Sequence, residues 1–213
     1  MNAYHNKPEL KALYVERAEK HAAADEVLQN YGYWKSGKGC NIGCLAHANE
    51  NAHQELEKQI GYPAAMNYLG DNIFEGLPEE KAVAFFLKYP KAAREGADLS
   101  LVTAHFMVWL LTEEVTKNFD AEKFPEVAKS CKEIAALYQR KIDGGNVTNR
   151  EWDDAAYAAA DAADAAAYAA AYAARAAYAA ARAAACYERM ADKLIELMQN
   201  APLDGDATAP EGK

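Results

Sequence analysis

The sequence predicts an all-α protein of about seven helices, the last of them very long and rich in alanine. Three observations carry that prediction. Between Ala155 and Ala185, 23 of 31 positions are alanine, the residue with the highest helix propensity and no side-chain entropy to lose. Helix start and stop signals recur through the rest of the chain. No segment alternates apolar and polar residues with the period of two that marks a half-buried strand.

The elements follow in order. A first helix starts over Asn6 to Glu9, where Pro8 suits the first turn, and its pattern runs to Asn30 before Gly32. Tyr31 to Gly43 contains Gly32, Gly37, Gly39 and Gly43 with Lys35, Ser36 and Lys38, a loop by composition. A polar helix is expected from about Cys44 to Ile60, ended by Gly61. Pro63 opens the next, to Phe74, and Pro78 another, to Tyr89. Leu99 to Val115 is apolar in nearly every direction around a helix, so it reads as buried. A helix beginning near Asp120 reaches Ile142, where Gly144 and Gly145 stop it. Short apolar runs such as Val83 to Leu87 are assigned to helix by their flanks.

The start of the last helix is written in detail. Thr148-Asn149-Arg150-Glu151 is a capping box, with Val147 and Trp152 at the two positions of a hydrophobic staple. From Asn149 the pattern runs without Gly or Pro to about Asn200, roughly 75 Å if straight. Residues 1–200 therefore read as one helical domain, and 201–213, rich in Pro, Gly, Asp and Thr, as a disordered tail.

The eight exceptions to alanine between positions 155 and 185 are Tyr157, Asp161, Asp164, Tyr168, Tyr172, Arg175, Tyr178 and Arg182. All fall within about 60° of one line along a helix, leaving the rest of the cylinder to alanine. Alanine lets neighbouring backbones approach closely, which suits a central helix or the seam of a homo-oligomer. The stripe then faces either solvent, with Asp161 and Asp164 towards the N-terminus and Arg175 and Arg182 towards the C-terminus as the macrodipole favours, or a pocket. Tyrosine with arginine suits a planar, anionic ligand, and an exposed face is more cheaply built from Lys, Glu and Gln.

Composition excludes several classes. A net charge of −9 over 213 residues, without clustered Lys and Arg, argues against nucleic acid as a partner. With neither a signal peptide nor an apolar stretch long enough for a bilayer, the chain is expected to be soluble and cytoplasmic, without membrane association. Cys40, Cys44, Cys131 and Cys186 lack the spacing of a disulfide framework and read as reduced thiols.

The loop from Lys35 to Cys44 runs into a helix start, where backbone N–H groups can hold a phosphate with Lys38, Gly39 and Asn41 at hand. It is not a Walker motif; the competing reading is a linker with glycine turns. Cys40, Cys44 and His47, spaced by four and three, would share a face of an early-starting helix, but His53 points elsewhere and no fourth ligand is evident, so no metal is assigned. The competing reading packs the cysteines in the core and leaves His47, Glu50, Asn51 and Gln54 as a polar stripe. His105 lies in the most apolar helix, with Trp109 one turn on, and reads as a buried histidine satisfying core hydrogen bonds or facing a ligand. No catalytic constellation is assignable, and no cofactor is implied.

The run Gly39-Cys40-Asn41-Ile42-Gly43-Cys44-Leu45-Ala46-His47, with His53, Ile60-Gly61-Tyr62-Pro63, Asp71-Asn72-Ile73-Phe74-Glu75-Gly76-Leu77-Pro78 and Gly96-Ala97-Asp98-Leu99-Ser100-Leu101-Val102, resembles a largely uncharacterised family encoded by bacteriophages and prophages. Members are similar in carrying an alanine-rich helix after a Gly-x-Val-x-x-x-x-Trp segment, here Gly145 to Trp152, and some bear the label of immunity proteins. The resemblance implies a viral protein in the cytoplasm of an infected bacterium and transfers no catalytic residues. Small acidic phage proteins of this kind resemble counter-defence proteins that sequester nucleotide immune signals.

The expected function is therefore non-catalytic binding of a phosphorylated nucleotide, a cyclic dinucleotide or ADP-ribose derivative. The ligand-binding candidates are Lys38, Gly39, Asn41, His47, His53, His105, Trp109, Tyr168, Tyr172, Arg175, Tyr178 and Arg182. The alternatives are a phosphodiesterase-like hydrolase that cleaves such a signal, with His47, His53 or His105 as base, and an immunity or inhibitor protein whose acidic surface meets a basic partner.

Overall fold

The computed structural model describes residues 2–115, 122, 124–155 and 176–203, with side chains throughout except at 176–183. Among the described residues the architecture is all-α, and strand-like pairing is confined to isolated bridges such as Val27 with Gly39 and Asn2 with Asp98. The chain divides into two compact units, Met1–Thr103 with Tyr187–Lys213, and Ala104–Cys186.

The first unit holds α1 (Pro8–Ala23), α2 (Asn41–Ala46), α3 (Ala52–Ile60), α4 (Ala64–Gly76) and α5 (Glu79–Ala92). Pro8 opens α1, and Gly61, in the left-handed conformation at φ 73°, ends α3, as proline and glycine do at helix ends. The core is apolar but cross-linked. Ile42, Leu45, Leu56, Ile60, Met66, Ile73, Phe74 and Phe86 are fully buried together with Tyr4, Tyr62 and Tyr89. The Tyr4 and Tyr62 hydroxyls bond each other at 2.9 Å, and Tyr4 donates to the Pro90 carbonyl. Asn67 donates through Nδ2 to the carbonyls of His53 and Tyr62, both at 2.9 Å, and accepts from the Tyr89 hydroxyl at 3.0 Å. One buried amide thus joins α3, α4 and α5.

Two expected elements differ here. The polar helix foreseen from Cys44 to Ile60 is α2 and α3, because His47 and Asn51 take left-handed backbone at φ 51° and 54° and turn the chain between them. Helix α1 stops at Ala23, short of Asn30. The backbone beyond it pairs with the glycine loop instead, Leu28 N–H to the Gly39 carbonyl at 2.8 Å and Gly39 N–H to the Glu26 carbonyl at 3.0 Å.

α6 (Val102–Trp109) begins at the boundary between the units and passes into a π-helical turn at Leu110–Glu114. The second unit also holds α7 (Pro125–Ile142), which buries Ser130 and Ala135. The capping box forms as its spacing requires: Thr148 N–H donates to Glu151 Oε2 at 2.9 Å, and Glu151 N–H to Thr148 Oγ1 at 3.3 Å. Arg140 bonds the other Glu151 oxygen at 2.5 Å, and Trp152 packs at 4.7 Å on Tyr138. Helix is present over 149–155 and over α8 (Ala176–Gln199), while 156–175 and the tail at 204–213 lie outside the described residues. Within the first unit α8 buries Leu194 and Met198, and the Tyr187 ring occupies the space a side chain on Gly76 would need. Among the described residues no helix is long and apolar enough to cross a membrane.

Candidate functional site

The glycine loop builds the site by folding on itself. Ser36 and Gly37, at φ 54° and 85°, form a tight turn closed by Lys35 N–H to the Lys38 carbonyl at 2.8 Å and Lys38 N–H to the Lys35 carbonyl at 3.1 Å. Positive φ at both central residues is the geometry of a type I′ turn. The turn leaves Lys35 and Lys38 exposed. It also lays the Tyr33 carbonyl over the start of α2, where a Cβ on Gly39 or Gly43 would overlap it. Only glycine fits at those two positions.

Tyr33 and Trp34, adjacent in this loop, each engage a histidine. Trp34 stacks on His47 with ring centroids 4.4 Å apart and an interplanar angle of 16°. His47 Nε2 meets His21 Nε2 at 2.7 Å, and His21 Nδ1–H donates to Glu26 Oε2 at 2.6 Å. Arg17 lies alongside, its guanidinium 4.4 Å from the Tyr14 ring centroid and bonded to the Leu45 carbonyl at 2.5 Å. Desolvation, then the charges of Arg17 and His21, hold His47 down at about 4, so it is neutral at pH 7.

On the other side of the loop, Tyr33 meets the His53 ring edge-on at 5.1 Å, and His53 stacks on Tyr68 at 3.7 Å. His53 Nε2–H donates to Asp71 Oδ2 at 3.2 Å. The Cys40 thiol lies against the same carboxylate; burial first, then Asp71, pushes it far above its ordinary range. Glu75, one turn after Asp71 on α4, accepts the Asn30 N–H at 2.7 Å, and burial with the Asp71 charge raises it.

The sequence candidates therefore separate. Lys38, Gly39, Asn41, His47 and His53 belong to the first unit, whereas His105 and Trp109 belong to the second. The Gly39 and Cys40 N–H groups, candidates for a phosphate, bond the carbonyls of Glu26 and Gly32 instead. Asn41 is fully buried and donates to the Gly70 carbonyl at 3.3 Å. Cys40, Cys44 and His47 do not converge. Cys44 Sγ points back to the Gly39 carbonyl, pushed up to about 12 by burial and then Glu26, while His47 turns to His21. His105, expected to be buried, is exposed, because Val102, Ala104 and Phe106 take the inward directions of α6; Trp109 is half-buried against Phe106 at 5.5 Å. Tyr168, Tyr172 and Arg175 lie outside the described residues, as do the side chains of Tyr178 and Arg182.

Sequence reasoning missed Arg17, His21, Tyr33, Trp34, Tyr68, Asp71 and Glu75. Only the last two carried a signal, an i, i+4 acidic pair on a proline-opened helix. No known protein family, curated protein or solved structure matches the chain.

Proposed function

We propose that the protein binds and sequesters, without converting it, a phosphorylated nucleotide signal of the cyclic-dinucleotide or ADP-ribose class, as a phage counter-defence protein in the cytoplasm of the infected bacterium. The observation that carries this reading is the Trp34 and His47 stack, flanked by Arg17 and followed in the same loop by the exposed Lys35 and Lys38. Aromatic rings offer a base a stacking face, and arginine and lysine offer its phosphates charge. Phosphate contacts come from these side chains, since the Gly39 and Cys40 amides are already bonded. Binding rather than turnover is favoured by the groups present. A histidine held at about 4 is a poor general base at pH 7, and a buried protonated thiol is a poor nucleophile. In this reading the alanine-rich segment runs as one helix to residue 200, its Tyr168, Tyr172, Arg175, Tyr178 and Arg182 stripe offers a further aromatic and cationic surface, and its alanine face pairs copies of the chain.

The test is thermal denaturation of the purified protein with cyclic dinucleotides and with cyclic or histidine-linked ADP-ribose, followed by chromatography of ligand released by heat. A ligand-dependent rise in Tm with intact ligand recovered, lost in Arg17→Ala and Trp34→Ala, is the expected result. Altered ligand at catalytic ratios would replace sequestration with hydrolysis, for which the His53 and Asp71 pair is the nearest machinery. No shift with any nucleotide would point to a protein partner instead.

A further inference from the structure

Cys40, Asp71 and Glu75 gather at a point that the surface around Trp34 does not use. The Cys40 sulfur and one carboxylate oxygen from each acid lie within 4.8 Å of one another. Cys40 is the residue before α2, and Asp71 and Glu75 stand one turn apart on α4. Glycine positions the thiol: with Gly39 and Gly43 on either side of it, the loop backbone approaches α2 closer than any side chain would allow.

A second, independent observation concerns unmet acceptors. Asp71 Oδ1 is shielded from solvent and meets no hydrogen-bond donor among the described residues other than the Cys40 thiol, which lies against this carboxylate. No described residue donates to Oδ1 of Asn41, which is fully buried, follows Cys40 in the chain and is anchored through Nδ2 to the carbonyl of Gly70, the residue before Asp71. Buried oxygens without donors cost free energy unless something electropositive meets them. His53, meanwhile, donates to the other Asp71 oxygen, the outer contact by which an imidazole orients a ligating carboxylate.

We infer that Cys40, Asp71 and Glu75 form a binding site for one divalent zinc ion, with His53 positioning Asp71. The sulfur decides the metal: carboxylates alone suit magnesium or calcium, whereas a thiolate with two carboxylates suits zinc. Zinc with sulfur at about 2.3 Å and oxygens at about 2.1 Å spaces its donors roughly 3.5 Å apart, so the three close in modestly on binding. The fourth position is left to water or a ligand oxygen. Binding replaces the Cys40 S–H bond with a Zn–S bond and releases that proton to solvent. Burial first, and then the Asp71 charge, raise Cys40 and Glu75 in the metal-free chain, and a dication opposes both effects. The site is independent of the nucleotide reading and stands or falls separately.

The experiment uses the full chain under reducing conditions, loaded with Zn²⁺, passed through gel filtration and analysed for metal, and in parallel titrated with Co²⁺. One zinc per chain and a thiolate-to-cobalt charge-transfer band in the near ultraviolet are expected. Cys40→Ser abolishes the band, and Glu75→Gln, at a half-buried position, weakens zinc binding at least about tenfold with circular dichroism unchanged. Cys131→Ser leaves both intact. Absence of retained zinc in the wild-type chain, or a cobalt band that survives Cys40→Ser, would overturn the site.

Discussion

The two compact units are held together by different means. In the first, large side chains fill the interior and polar groups reach through it to backbone carbonyls: Asn67 to His53 and Tyr62, Gln29 to Phe74 and Leu77, Gln59 to Ala46. These bonds tie carbonyls of the helices and of the loops between them to side chains on other elements. In the second, α7 packs against the turn at Leu110–Glu114 and buries Ala135, and further polar and aromatic contacts lie near the surface: the Thr148 and Glu151 capping box, the Arg140 bond to Glu151, and the Tyr138 and Trp152 pair. The difference teaches where cooperativity lies. A buried cross-link fails as part of a whole core, whereas a surface cap fails by itself.

The largest effect should come from Gly43→Ala. Its Cβ would meet the Tyr33 carbonyl rather than a flexible side chain, so the loop must lift from α2, at a cost of about 3 kcal/mol. Urea denaturation followed by tryptophan fluorescence, in a background with Trp109→Phe and Trp152→Phe, measures it through Trp34. A loss under about 0.5 kcal/mol would mean that the loop is not locked onto α2. Asn67→Ala comes next. It strips donors from two buried carbonyls and an acceptor from Tyr89, and about 2 kcal/mol should be lost across the entire first unit. Protection changes confined to α4 in hydrogen exchange would contradict the picture of one cooperative core.

Thr148→Ala sharpens the contrast from the other side. Losing the cap should cost about 1 kcal/mol, with faster amide exchange over 149–155 and little change in the first unit. An equal loss of protection in α3 and α4 would show the two units to be energetically one. The smallest effect is a pH dependence at His47. Its pKa is depressed by the fold, so its contribution is complete above the unfolded value near 6.5 and is lost as pH falls towards about 4. The groups facing it are Arg17, His21 and Glu26. The Tm of the wild-type chain should therefore fall more steeply between pH 6.5 and 4 than that of His47→Gln, and parallel curves would remove His47 from the acid response.

Much of the helical framework is legible because its signals are local. Pro63 and Pro78 open α4 and α5, Gly61 closes α3, and Thr148 with Glu151 caps the last segment. The break between α2 and α3 is not, since left-handed backbone at His47 and Asn51 is chosen by what those residues meet in space. The site follows the same division. His47 and His53 drew notice as isolated histidines, but their stacking partners Trp34 and Tyr68 have no fixed sequence distance from them.

The sequence by itself determined the all-α class, the order of most helices and the place of the glycine loop, because propensity, capping and chain reversal act within a few residues. Only the tertiary structure decided that the loop amides bond to Glu26 and Gly32, that His105 faces outward, and that Cys40 meets Asp71 and Glu75 rather than Cys44 and His47. Those outcomes depend on packing between segments tens of residues apart, where burial and the pairing of every buried polar group select one arrangement from many that the local signals allow.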